Sequence, residues 1–189
     1  MELILSVAIG VGLAAAVGFR VFVPFTVISA AAMGGYLDLS PGFDWIGTMP
    51  ALIMFSVATL VEIAAYYIPW VDNLLDTVAT PVAVVAGAVI TASVVGEMSP
   101  LLRWSLAAIA GGGIAGTVQA GTALIRGAFT LGTGGFGNFL VSTGELVGAI
   151  LTALLAIWLP LAGIGLILLL IFWSLRHRII QANARIFPS

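Results

Sequence analysis

The chain has 189 residues, 61% of them hydrophobic and 7% charged, with a net charge of −2. Soluble domains carry about 25% charged residues, so the composition excludes a soluble protein, and apolar runs of about 20 residues, long enough to cross a bilayer, recur from end to end. Six arginines and no lysine form no basic patch for nucleic acid, while zero cysteines and a lone His177 exclude disulfides, iron–sulfur clusters and ordinary zinc sites, so no cofactor is expected.

Six spans fit the pattern. The first, about 4–33, is long; its start, Met-Glu-Leu-Ile-Leu, lacks the basic region and cleavage site of a signal peptide and reads as membrane helix. The others are about 50–68, 77–96, 102–126, 138–158 and 160–177, separated by prolines and polar clusters. The first span contains "VGFRVFVPF" (17–25), where Arg20 sits among phenylalanines and valines and Pro24 follows four residues later. Pro24 disturbs the helix at that point. The expectation is a first span broken near Gly18–Pro24, with Arg20 at the break and facing a polar cavity whose opposite wall is Thr117, Gln119 and Thr122 of the fourth span. There a guanidinium grips an anionic group with two prongs. The alternative is an arginine paired with a glutamate for structure alone.

Arg176, Arg178 and Arg185 follow the last span and place the C-terminus in the cytoplasm. An even number of spans then puts the N-terminus inside too, the loops with Asp38/Asp44 and Glu97/Arg103 outside, and Asp72/Asp76 and Arg126 inside. The arginine bias gives a multi-pass membrane protein with both termini cytoplasmic; the placement in a bacterial inner (plasma) membrane is what the family resemblance given below implies.

The order of a glycine-rich span, a span with one glutamate and a proline-led span occurs twice. It runs from Gly12 through Glu62 to Pro81, and from Gly113 through Glu145 to Pro160. Copies with an odd number of spans enter from opposite sides, which would make the repeat inverted, as in many secondary transporters. The expected organisation is one membrane domain: a first three-span unit over 1–97, a second over 98–177, and a tail over 178–189. The first and fourth helices are expected to be broken. Glycines at 10, 12 and 18 and at 111–116 favour tight helix packing, which also suits homo-oligomerisation. "LGTGGFGNF" (131–139) is either an ordinary loop or a broken re-entrant segment.

Ionisable residues inside spans mark pathways or sites by default. Glu62 lies seven residues before Pro69, and Glu145 seven after Asn138. At 1.5 Å per residue both carboxylates stand roughly 10 Å from the same end, within reach of each other or of a shared Arg126. A pair of carboxylates suits proton or cation coupling; an arginine beside them holds both ionised. That common depth counts against an inverted relation between the two.

Asp72 and Asp76 in "VDNLLD" share a helix face. Such pairs hold magnesium in membrane enzymes acting on lipid diphosphates, but the longer signature of CDP-alcohol phosphotransferases is missing, and both aspartates also serve as helix caps.

"GFRVFVPF", "YYIPWVDNLLDTVATPVAVVAG" (66–87) and "FLVSTGEL" (139–146) together resemble the bacterial membrane family catalogued as domain of unknown function 4126, over nearly the whole chain. The resemblance implies a compact polytopic inner-membrane protein with recurrent polar positions at Arg20, Glu62, Asp72, Asn73 and Asp76. It implies no activity.

The expectation is therefore an all-α polytopic protein that transports or flips a small or amphiphilic, anionic solute. Arg20, Thr117, Gln119 and Thr122 would bind it, and Glu62, Glu145 and Arg126 would couple protons or ions. Partners are that substrate and the membrane lipids. A magnesium-dependent enzyme using Asp72 and Asp76, and a non-catalytic assembly or scaffold subunit, are the alternatives.

Overall fold

The structure is a computed structural model that describes residues 2–68, 71–96, 98–134 and 137–160, apart from the side chains of Asp72, Asn73 and Asp76. The expected sixth span and the tail lie outside the described residues. Within them every regular element is a helix: α1 (Glu2–Phe19), α2 (Phe22–Met33), a short 3-10 turn (Asp44–Gly47), α3 (Met49–Tyr66), α4 (Val71–Val94), α5 (Pro100–Leu106), α6 (Gly113–Thr133) and α7 (Asn138–Trp158). Five stretches among the described residues are long and apolar enough to cross a membrane: α1, α3, most of α4, the run from α5 through α6, and α7. The protein is an α-helical membrane protein.

Local chemistry sets the ends. Thr48 begins α3, its hydroxyl accepting from the Ala51 amide at 3.4 Å, with Pro50 in the first turn where no hydrogen bond is lost. Helix α4 starts at Val71, earlier than the expected 77, so Pro81 lies well inside it and interrupts one ladder bond. The fourth span is not broken. Residues 107–112 form a π-turn that joins α5 to α6 in one continuous 34-residue helical run. Gly134, at φ 63°, ends α6 in the left-handed conformation, and α7 begins at Asn138; residues 135–136, within the expected loop or re-entrant segment, lie outside the described residues.

The first span is broken as expected, but the break reverses the chain. Along α7, Phe19 lies against Gly148 and Gly12 against Ala156, so α1 runs antiparallel to α7. Helix α2 starts beside Glu145 and leads to Tyr36, whose ring meets Trp158 at 5.3 Å, so α2 runs parallel to α7. Residues 36–41 consequently return to line one cavity with residues 2–9, and the Ser40 amide bonds the Ser93 carbonyl at 2.8 Å. A straight helix from 4 to 33 would hold those segments roughly 45 Å apart. Two expectations are corrected here. Residues 4–33 are a hairpin and not one crossing, and Glu2 lies at the same end of the molecule as Asp38, not opposite to it.

The inverted pairing of the glycine-rich helices is also corrected. Gly10 and Gly111 both meet Thr91, while Gly18 meets Ala115 and Val118, so α1 and α6 run in the same direction. Small residues make this closeness possible. A Cβ built on Gly18 would stand 2.5 Å from the Cβ of Val118 and 2.7 Å from the Ala115 carbonyl oxygen. The core forms where α1 meets α4, α6 and α7, around Leu13, Ala16, Val17, Ile90 and Ala153.

Candidate functional site

Gly18 presses α1 against α6, and the last ladder bond of α1 runs from the Arg20 amide to the Ala16 carbonyl at 3.1 Å. The chain then turns, and the first amides of α2 have no carbonyl behind them. Glu62 of α3 fills that role. Its Oε1 accepts from the Val21 amide at 2.8 Å and its Oε2 from the Phe22 amide at 3.0 Å. A carboxylate at a helix start also complements the helix dipole. One turn on, the hydroxyls of Thr26 and Thr59 meet at 2.9 Å. Pro24 sits in the first turn of α2, buried, where its missing amide costs nothing. The break is thus braced from α3.

Arg20 points the other way, into the bundle. The residue is 1% exposed. Its Nη2 donates to the Ser142 carbonyl at 3.1 Å and stands 3.4 Å from Glu145 Oε2. The same carboxylate oxygen accepts from Arg126 Nη2. Tyr66 lies at the end of α3 with the Arg20 guanidinium 3.8 Å and the Arg126 guanidinium 4.4 Å from its ring centre. An aromatic face attracts a desolvated cation, and the Tyr66 carbonyl accepts from the Ser142 hydroxyl at 3.4 Å. Arg20 Nε and Nη1 and Glu145 Oε1 are buried without a hydrogen-bond partner.

The helices deliver these groups by simple periodicity. Buried positions on α6 are Ala115, Gln119, Thr122 and Arg126; on α7 they are Asn138, Ser142, Glu145, Ala149, Ala153 and Ala156. Steps of three and four make one stripe on each helix. Here the stripe holds the small and polar residues, and the leucines and isoleucines face outward, the reverse of a soluble helix. Glu145 stands seven residues from the start of α7, and Arg126 seven from the end of α6, so the cluster sits about 10 Å inside the nearer end of the helices.

Of the expected site residues, the structure brings Arg20, Arg126 and Glu145 together, with Glu62 on the other side of the reversal. The shared depth of the two glutamates holds. Arg20 stands at that same depth, because the chain turns back there. It lines neither of the two cavities described below, so the expected wet cavity is replaced by a sealed contact with Glu145. The expected opposite wall does not form: Thr117 is exposed, its hydroxyl bonding the Gly113 carbonyl at 2.7 Å, and Thr122 is buried with its hydroxyl on the Gln119 carbonyl at 3.0 Å. Neither bonds Arg20. Gln119 is buried, with its Nε2 lacking a partner. Asp72 and Asp76 fall in the first turns of α4, their side chains outside the described residues; among the described residues no group of three or more metal-ligating side chains occurs.

Tyr66 and Ser142 were not anticipated. Ser142 lies three residues before Glu145 on the buried stripe, which is a usable signal. Nothing local marks Tyr66, since its partners come from α1, α6 and α7.

Among the described residues, two cavities flank this core. The first, about 430 Å³, is a groove between α3 and α4 at the foot of α2; Val57, Val61, Val78 and Val82 line it, and Glu62 and Tyr66 supply its polar groups. The second, about 440 Å³, lies between the start of α1 and residues 36–41, with Glu2, Asp38 and Ser40 in its wall.

A family model described as Domain of unknown function (DUF4126) matches residues 7–178. No curated protein and no solved structure matches the chain.

Proposed function

The chain belongs to the family described as domain of unknown function 4126, which lends it no activity, and we propose from the geometry that it moves an amphiphile across or between the leaflets of its membrane. The observation that supports this is the ion cluster at the helix reversal. Two arginines and a glutamate are sequestered roughly 10 Å inside a helical bundle, beside a groove of aliphatic side chains. Charges at such depth are costly and mark pathways by default, and discontinuous helices that place backbone groups within a membrane are a device of secondary transporters.

The role of Arg20 in this proposal differs from a substrate clamp. Its Nη2 is held by Glu145 and Ser142, and its unpartnered Nε and Nη1 are buried, so no donor of Arg20 is open to an anionic solute while the cluster is closed. The cluster acts instead as a latch between the hairpin tip and α6–α7, and opening the Arg20–Glu145 contact frees the tip to shift. Glu62 braces the hairpin from the groove side, which links the groove to the latch.

The test is lipid scrambling in sealed vesicles containing the purified protein, with phosphatidylethanolamine bearing a fluorescent short chain as the probe and dithionite as the membrane-impermeant quencher. Wild-type protein should expose nearly all the probe, where empty vesicles expose only the outer leaflet. Arg20→Lys keeps the charge and loses the planar geometry, and should slow the exchange while the protein still folds. A second reading, a purely structural lock, is favoured by the full burial of Arg20. It predicts vesicles that behave as empty ones with wild-type protein present, and that result overturns the transport proposal.

A further inference from the structure

We propose that the groove between α3 and α4 is a binding site for the aliphatic chain of a bilayer amphiphile whose head is a hydrogen-bond donor, an ammonium or a hydroxyl, held by Glu62. The inference rests on the amphiphile reading above and names the chemistry of its substrate. The groove, at about 430 Å³, falls within the range of about 300–1,000 Å³ typical of small-molecule sites. Its walls come from helices whose length and composition suit a membrane, and only 17% of the α3 residues are buried inside the molecule. Bilayer chains are therefore the solvent that meets this groove. Val57, Val61, Val78 and Val82 offer such a chain dispersion contacts and nothing polar.

The head chemistry follows from charge. Glu62 lines the groove, and the nearest arginines do not. Its two oxygens each accept one backbone amide, while a carboxylate offers about four acceptor positions. The spare ones suit a donor. A phosphate or carboxylate head would meet another carboxylate instead. Occupancy bears directly on the reversal, because the same carboxylate that receives the head also caps α2.

The experiment is photolabelling of the full chain in vesicles with three probes of equal length: a hexadecyl amine, alcohol and carboxylic acid, each carrying a diazirine near the head. Peptides of the groove wall around Met54–Glu62 and Leu75–Val82 should carry the label. The amine should exceed the acid about tenfold, the ratio expected of a charge-assisted hydrogen bond. Ala58→Trp, which fills the groove, should remove groove labelling by all three probes. Glu62→Gln should erase the preference for the amine over the acid. Equal labelling of the groove and of exposed surface such as Ile109 and Leu131, unchanged by Ala58→Trp, would mean annular lipid and overturn the site. Labelling without head preference overturns the role of Glu62. Disulfide trapping between Ala58→Cys and a cysteine within residues 161–177, at high yield and with no probe labelling, would show the groove filled by the chain itself and also overturn it. None of these readouts needs transport, so a failed groove and a failed scrambling assay are separate results.

Discussion

Helices α1 and α3 are both 18 residues long and both apolar enough to cross a membrane, yet 56% of the residues of α1 are buried inside the molecule against 17% in α3. What separates them is side-chain size. Helix α1 carries Gly10, Gly12, Gly18 and the alanines 14–16, all buried; α3 carries Ile53, Met54, Val57, Leu60 and Val61, all exposed. In a membrane, lipid is as apolar as leucine, so hydrophobicity does not drive a helix inward. Close approach does, and only small residues permit it. The crowded half of the molecule is therefore the glycine half, and the bulky face of α3 is left to meet the bilayer and to wall a groove.

The sharpest way to break this comparison is topological. If α1 and α2 are arms of a hairpin, cysteines at Glu2 and Asp38 should react together with a membrane-impermeant maleimide, and a cysteine at Thr133 should be protected in the same sealed vesicles. The contrast is all or none. Opposite accessibility of positions 2 and 38 would restore a single crossing over 4–33 and dismantle the hairpin.

Next in size is the carboxylate that joins the two halves of the site. Glu145→Leu removes the acceptor between Arg20 and Arg126 and should destabilise by about 3–5 kcal/mol, the cost of stranding buried charge. Adding Arg20→Leu should return part of that loss, because contacting residues are not additive. Denaturation in detergent measures both, and a loss under about 1 kcal/mol for the single change would mean the arginines do not depend on Glu145.

The comparison of α1 with α3 can then be tested at single positions. Gly18→Val pushes methyl groups onto Val118 and the Ala115 carbonyl and should cost about 1–3 kcal/mol. Leu60→Ala, on the exposed face of α3, should stay within about 0.5 kcal/mol. Equal effects would show that burial in this fold does not follow side-chain size.

Smallest is the brace at the reversal. Glu62→Gln keeps one acceptor for the Val21 or Phe22 amide and loses the charge and the second acceptor. The expected loss is about 1 kcal/mol, the scale of a helix cap, with a local rise in hydrogen exchange at the amides of residues 21–23. Exchange unchanged there would remove Glu62 from the brace.

Much of this was legible in the chain. The shared depth of Glu62 and Glu145 follows from counting residues to the span ends. The break at Arg20 follows from a cation and a proline inside an apolar run. The inward stripe of α7 is readable as Ser142, Glu145, Ala149 and Ala153 at helical spacing. The direction of the chain after the break was not legible, because a proline and an arginine disturb a helix whether it bends or turns back. Nor was the sealing of Arg20, which depends on α7 running alongside the hairpin. The expectation of a polar wall on α6 failed for a similar reason: Thr117 lies off the buried stripe, and Thr122 spends its hydroxyl on its own helix.

By itself the sequence determined that this is a helical membrane protein, where most of its helices lie, and which few charges must be hidden, because hydrophobic length and the cost of buried charge are properties of the residues alone. Only the tertiary structure decided which charges meet and which end of the molecule each loop occupies. Those depend on the reversal at Arg20–Val21, where an amide pair from one helix finds a carboxylate 41 and 40 positions away, a coincidence in space that no local pattern records.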